Sequence, residues 1–296
     1  MQKIFKNRFG ELRSGWSIAV AVALLMVGQI IARAFIEDDK AESISGKILI
    51  TVVYGIIVVI GGLFLFKLVY KRSVRQMGVI RKGWFSSLLH GLGMGTTTMI
   101  LVFAAMILSG QRQVLSFNPH RLFTIGILVE FLSVCVFMFS EELYCRGYIM
   151  TALKTTRNKW AILFSSSVIF GVAHFLNPGM TALSLFNTSL GGLLFAYMFI
   201  KTGKLWFSTG YHIGHNFLAG DILGIPTSGG VGASEGVFTT SLGSNEFIAG
   251  GIQGSVGSIF MTIVLAFGFF YVRFVVKKPD DSVWTMESDL PLIRGK

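Results

Sequence analysis

Long apolar runs, separated by short polar segments, repeat along the whole chain. Apolar helices of roughly 20 residues are long enough to cross the hydrocarbon core of a bilayer, and hydropathy predicts eight of them. Their predicted limits are residues 15–35, 48–66, 84–109, 124–152, 160–176, 180–200, 204–224 and 251–276. We therefore expect an all-α polytopic membrane protein with eight transmembrane helices.

Composition and charge agree with this fold class and add an orientation. The sequence is 52% hydrophobic and only 14% charged, whereas soluble domains carry roughly 25% charged residues. With eight spans, most of the 26 Lys and Arg residues fall on the side that holds both termini. Lys and Arg are enriched in cytoplasmic loops. We therefore predict N-in/C-in topology, with both termini cytoplasmic, in the cell membrane of a bacterium. The net charge of +11 reflects this topology, and we expect no nucleic-acid partner.

The chain divides into three parts by its sequence pattern. Residues 1–121 hold the first three predicted helices and their loops, and residues 122–276 hold the polar motifs described below. Residues 277–296 form a polar cytoplasmic tail. The longest outer loop, 226–250, is rich in Gly, Ser and Thr, and we expect it to dip into the membrane or to cover the helices like a lid.

The fourth predicted helix carries ionisable residues that a passive membrane helix would avoid. Such side chains cost a few kcal/mol each at membrane depth, so they indicate a functional site. Glu142 and Arg146 are four residues apart and are expected to pair on one face as structural support. Glu141 lies about 100° round the helix and is left without that partner, which suits a general base. Glu130 lies about three turns earlier on nearly the same face, where it could pack between helices or contact substrate.

Two further predicted helices carry imidazole and amide groups. His174 ends the fifth, whereas His212, His215 and Asn216 lie on the seventh. His212 and Asn216 are four residues apart and therefore share one face. Counting residues from the cytoplasmic ends of the helices places Glu141, His174, His212 and Asn216 in one layer, between mid-membrane and the inner leaflet.

This set of groups predicts amide hydrolysis. Glu141 and His174 could hold and deprotonate a water molecule, while His212 and Asn216 could donate hydrogen bonds to the oxyanion of a tetrahedral intermediate. The same groups could instead bind zinc. However, Asn is a poor zinc ligand and the sequence has no HExxH pair. We therefore expect no metal and no other cofactor.

Three motifs, in this order on three predicted helices, resemble those of a known family. They are EExxxR at 141–146, FxxxH at 170–174 and HxxxN at 212–216. Together they resemble the CPBP family, the CAAX-protease and bacteriocin-processing intramembrane proteases also called Abi. The resemblance covers residues 122–217, and we expect the CPBP/Abi-like catalytic core to extend through the last helix, over residues 122–276. The first three helices carry no motif.

The resemblance implies roles for individual residues. Glu141 would be the general base, assisted by His174, and His212 and Asn216 would stabilise the oxyanion. Glu142, Arg146 and Phe170 would support the site. The family gives His215 no role, and we expect it to be structural or to contact substrate.

These roles imply an intramembrane glutamate-dependent endopeptidase that cleaves a membrane-associated peptide or lipidated protein. A CAAX-type prenylated protein and a bacteriocin- or pheromone-type peptide are both candidate substrates. The main alternative is a non-catalytic membrane scaffold or bacteriocin immunity protein that binds a membrane partner. A transporter using the same groups as a proton relay is a third, although the sequence has no repeated halves. The expected partners are the lipid bilayer and the substrate, and the sequence leaves the oligomeric state open.

Overall fold

The structure, a computed structural model, is mostly helical. It describes residues 2–5, 12–34, 43–71, 73–156, 158–227, 236–241 and 243–277. The predicted tail 277–296 lies outside these residues except for Lys277.

Within this described part, eight long helical segments follow one another in the order that the apolar runs predict. They are α1 (Ser14–Ala34), α2 (Ile44–Tyr70), α3 (Trp84–Leu108), α4 (125–153), α5 (Lys159–Ala173), α6 (Ala182–Thr202), α7 (Trp206–Phe217, extended by Leu218–Ile222) and α8 (Ile259–Phe274).

Three of the helices among the described residues, α2, α3 and α6, are long and apolar enough to cross a membrane. Shorter apolar helices occur at Ser14–Gly28, Lys159–Ala173 and Ile259–Phe274. The chain is therefore a helical membrane protein. The count of eight crossings and the side on which the termini lie stay predictions.

Polar residues begin five of these helices. Each has a backbone outside the helical region, and its side-chain oxygen accepts a hydrogen bond from a backbone N–H in the first turn. Such caps satisfy donors that would otherwise lack partners and typically stabilise a helix by about 1 kcal/mol. The caps of α2, α4, α5, α6 and α8 are Ser43, Thr124, Asn158, Thr181 and Ser258.

The last helix is shorter than its apolar run predicts. We expected it to begin at residue 251, but α8 begins at Ile259 because Gly250, Gly251 and Gly254 adopt positive φ angles of 82°, 54° and 61°. A regular helix cannot contain such angles. Residues 250–258 instead form tight turns that enter the bundle, where Ser255 is fully buried.

The described part of the chain also contains a small sheet that the all-α expectation did not include. Strands β1 (Val114–Phe117) and β2 (Phe238–Thr240) pair antiparallel. The pairing joins the α3–α4 connection to the loop predicted at 226–250, of which residues 228–235 and 242 lie outside the described residues. The described end of that loop is thus attached to the rest of the protein.

Helices α3 and α7 touch backbone to backbone. A Cβ atom added to Gly91 or Gly95 of α3 would overlap the carbonyl oxygen of Phe207 or Tyr211 of α7. Gly210 and Gly214 of α7 make the reciprocal contacts with α3. Glycines spaced four apart allow such close approach between membrane helices. This contact fixes the position of α7.

Helix α4 changes its hydrogen-bonding pattern in the middle. Ile125–Glu142 is α-helical, Leu143–Ile149 is a π-helix with every residue buried, and Met150–Leu153 is α-helical again. Helices of the first part of the chain hold this segment, since the Tyr144 hydroxyl donates to the Val58 carbonyl at 3.0 Å. Single π-helical turns inside α-helices are frequent at functional sites.

Candidate active site

A buried ion pair forms the base of the site. The predicted pairing of Glu142 with Arg146 is present, with 2.8 Å between Glu142 Oε1 and Arg146 Nη1 and both side chains 0% exposed. Arg146 Nη2 also donates to the Gly192 carbonyl at 3.0 Å. The guanidinium carbon lies 4.5 Å from the Phe170 ring centroid and 5.0 Å from that of Phe195. These contacts with a carboxylate, a carbonyl and two aromatic rings hold the arginine side chain in one position.

His212 connects this ion pair to the second carboxylate. Its Nδ1 lies 3.2 Å from Glu142 Oε1, and its Nε2 lies 3.9 Å from Glu141 Oε2. The sequence predicted that Glu141 and His212 share a layer, and the structure brings them together. The contact of His212 with Glu142 was not predicted from the sequence, because Glu142 was assigned only to Arg146.

The two neighbouring carboxylates differ in their surroundings. The Glu141 side chain is 23% exposed, whereas that of Glu142 is fully buried. Glu141 Oε2 has no hydrogen-bond partner among the residues that the structure describes. Glu142 Oε2 likewise has none there, but Glu142 Oε1 accepts from Arg146 and His212. Glu141 is therefore the carboxylate that donors hold less and that can more readily take up a proton.

His174 lies immediately after α5, which ends at Ala173. Its Nδ1 donates to the Phe170 carbonyl oxygen at 2.8 Å. Phe170 separates the two imidazoles, with its ring centroid 4.6 Å from that of His174 and 6.0 Å from that of His212. Within the described ranges no hydrogen bond or ion pair joins His174 to Glu141. Phe170 thus packs at the site as expected.

Asn216 and His215 form the far side of the site. The Asn216 Nδ2 group donates to the Met138 sulfur at 2.9 Å, one turn before Glu141 on α4. His215 Nδ1 lies 3.0 Å from Asn216 Oδ1, and its Nε2 lies 3.4 Å from Ser255 Oγ. Each nitrogen of the His215 ring therefore faces the side chain of another residue.

Glu130 lies apart from this cluster. Its carboxylate oxygens accept hydrogen bonds from Arg121 at 3.0 Å, and Lys47 contacts Oε1 at 3.1 Å. These two cations come from the α3–α4 connection and from α2. Of the two roles considered for Glu130, the contacts favour packing between elements.

The donor set offers little to a metal ion. Glu142 Oε1 already accepts from Arg146 and His212, and His174 Nδ1 bonds to a backbone carbonyl. In the part of the chain that the structure describes, no group of three His, Cys, Asp or Glu side chains could hold a metal.

Sequence reasoning missed two contributions to the site. Ser255, from the turns that precede α8, contacts His215, and nothing in the sequence marks this serine. The glycines of α3 and α7 could have been found, because 91–95 and 210–214 both have the small-xxx-small spacing of close membrane helix pairs.

One comparison with known proteins finds a family model that matches part of the chain. Residues 122–218 match the family model described as Rce1-like, type II CAAX prenyl endopeptidase. This range contains all the motif residues described above, so the resemblance expected from them is confirmed over this stretch. CAAX prenyl endopeptidases are peptidases, and on this match the chain is a peptidase. No curated protein and no solved structure matches the chain.

Proposed function

We propose that this chain, whose residues 122–218 belong to a family of CAAX prenyl endopeptidases, is a glutamate-dependent intramembrane endopeptidase. It would hydrolyse a peptide bond of a CAAX-type prenylated protein or of a bacteriocin- or pheromone-type peptide. The observation that carries the proposal is the partly buried carboxylate of Glu141, whose side chain is 23% exposed. It faces an imidazole that the buried Glu142–Arg146 pair anchors. The family match does not favour the scaffold or immunity-protein alternative.

In this proposal Glu141 is the general base. Its carboxylate takes a proton from a water molecule, and the oxygen of that water attacks the carbonyl carbon of the scissile bond. His174 Nδ1 donates to the Phe170 carbonyl, so its Nε2 remains as an acceptor that can orient the same water. The proton then passes from Glu141 to the leaving amine as the C–N bond breaks, which regenerates the carboxylate.

His212 stabilises the oxyanion, and its contacts specify the protonation that this role requires. Nδ1 faces a Glu142 oxygen that can only accept, so Nδ1 carries a proton. Donation from Nε2 to an oxyanion needs a second proton, which makes the ring an imidazolium. The cluster then holds two carboxylates, one guanidinium and one imidazolium.

Asn216 supplies the second donor. Its Nδ2 group donates to the thioether of Met138, which is a weak acceptor. A substrate oxyanion is a much stronger acceptor and would displace the sulfur. Since His212 and Asn216 are one helical turn apart on the same face of α7, both can donate to one oxygen.

An internally quenched peptide that ends in a farnesylated CAAX sequence tests this function. We expect the wild-type protein in detergent to cut it next to the farnesylated cysteine, and Glu141→Gln to be inactive although folded. The same peptide without the farnesyl group distinguishes the two substrate classes, because only an enzyme for unlipidated peptides should cut both at similar rates. Full activity of Glu141→Gln would contradict the proposed chemistry.

Orientation and localisation belong to the same proposal. With both termini in the cytoplasm, the layer of catalytic groups opens towards the cytoplasmic side of the cell membrane, where prenylated proteins are anchored. The excess of Lys and Arg on that side supports this orientation.

A further inference from the structure

His215 lies beside the catalytic face of α7 but takes no part in the chemistry above. Its side chain is buried, and its ring lies parallel to that of Tyr211, one turn earlier, at 6.3 Å between centroids. Its two nitrogens make different contacts, with Asn216 Oδ1 and with Ser255 Oγ. A buried imidazole with a partner at each nitrogen has a defined tautomer.

The partners identify that tautomer. Asn216 Oδ1 is an acceptor only, so His215 Nδ1 must carry the hydrogen. In the neutral ring Nε2 is then an acceptor, and the Ser255 hydroxyl, which can donate, faces it. The order of donation is Ser255 to His215 to Asn216.

The same contacts decide which way the Asn216 amide points. In the observed orientation its N–H group faces the Met138 sulfur and its oxygen faces His215. Turning the amide over would place its oxygen against the sulfur, so that two acceptors face each other. The contact with Met138 therefore opposes the flipped amide, and the observed orientation fixes the tautomer of His215.

We propose that His215 is a positioning residue that holds the Asn216 amide with its N–H group towards the site, and that Ser255 sets the tautomer of His215. This inference rests on the proposed function of Asn216 as an oxyanion donor. The Asn187 side chain donates to the carbonyls of Val256 and Ser258, at 2.9 Å each, and so fixes the turn that carries Ser255.

The tautomer can be measured without any substrate. The chain has five histidines, so selective ¹⁵N-histidine labelling gives a simple NMR spectrum. The signals of His215 are those that disappear in the His215→Phe variant. We expect a protonated Nδ1 and an unprotonated Nε2 in the wild type. Ser255→Ala should shift the ring towards a mixture of tautomers. A protonated Nε2 with a bare Nδ1 in the wild type would overturn the proposal.

Two substitutions separate positioning from packing. His215→Asn can place an N–H donor near the position of Nδ1 but loses the ring, whereas His215→Phe keeps the ring beside Tyr211 but loses the donor. We expect kcat for the farnesylated probe to fall by about 10- to 100-fold in His215→Phe, below the roughly 10²–10³-fold typical of losing an oxyanion donor outright. KM should change little, and His215→Asn should recover most of the loss.

A merely structural histidine would give the reverse order, with Phe the better replacement, and this result would refute the positioning role. The melting temperature of each variant shows whether a lost rate reflects unfolding. If the wild type does not cleave the probe at all, the proposed function fails for this substrate, and the tautomer of His215 alone decides the present inference.

Discussion

Glu141 and Glu142 are neighbours in sequence whose replacement by glutamine should have opposite consequences. Glu141→Gln keeps the size and the hydrogen-bonding capacity of a side chain that is 23% exposed. It breaks no ion pair shorter than the 3.9 Å contact with His212. We therefore expect wild-type abundance and melting temperature. The variant lacks a base, and losing a general base typically lowers the rate by about 10²–10⁴-fold.

Glu142→Gln removes the negative charge from a fully buried pair. Arg146 and Glu142 are both 0% exposed and 2.8 Å apart, and removing one partner of such a pair typically costs about 3–5 kcal/mol. Glutamine can still accept from Arg146, so the loss should lie at the lower end. His212 Nδ1 also loses its charged partner, so the activity of the protein that remains folded should fall as well.

The assay is a thermal melt in detergent beside cleavage of the farnesylated probe, with rates divided by the amount of folded protein. Arg146→Ala serves as the matched control, since it breaks the same pair from the other side. The reasoning is refuted if the melting temperature of Glu141→Gln lies well below that of the wild type, or if the melting temperature of Glu142→Gln equals that of the wild type. A Glu141→Gln variant with normal turnover would remove the general base from the mechanism.

Three further predictions follow from the site and the fold. Purified protein should contain no stoichiometric zinc and should keep cleaving after prolonged chelation; activity that one equivalent of metal restores would establish a metalloprotease. Gly95→Ala should destabilise the protein by about 1–3 kcal/mol by overpacking against Tyr211. In the same helix, an added Cβ on the exposed Gly93 meets no described neighbour within 4 Å. Gly93→Ala should therefore be neutral or stabilise by up to about 1 kcal/mol, and equal melting temperatures for the two variants would contradict the close α3–α7 contact. Reporter fusions should place Ser241 outside and Arg75 inside; the opposite result would reverse the predicted topology.

The parts of the site that lie within one helix could be predicted from the sequence. Spacing alone gave the Glu142–Arg146 pair, because residues four apart on a helix are neighbours whatever surrounds them. It also separated Glu141 from that pair and placed His212 and Asn216 on one face. The approximate positions of the helices followed from apolar runs for the same reason, since each run is a local property of the chain.

Contacts between helices could not be predicted in this way. The 3.2 Å contact of His212 with Glu142 depends on how α4 and α7 rotate about their axes. The contact of Ser255 with His215 depends on turns inside a run that reads as helix. Counting residues placed His174 in the same layer as Glu141 but could not show that Phe170 separates the two imidazoles.

The glycine contact between α3 and α7 has a consequence for where this protein can be cut. The family similarity begins at residue 122, yet α7, which carries His212 and Asn216, lies with its backbone against Gly91 and Gly95. A protein truncated to the family segment would expose a glycine-lined face of α7 that no side chain of its own can fill. The start of the matched segment therefore does not coincide with a limit of independent folding. Any exchange of this segment between relatives would therefore have to include α3 together with the α7 helix that packs against it.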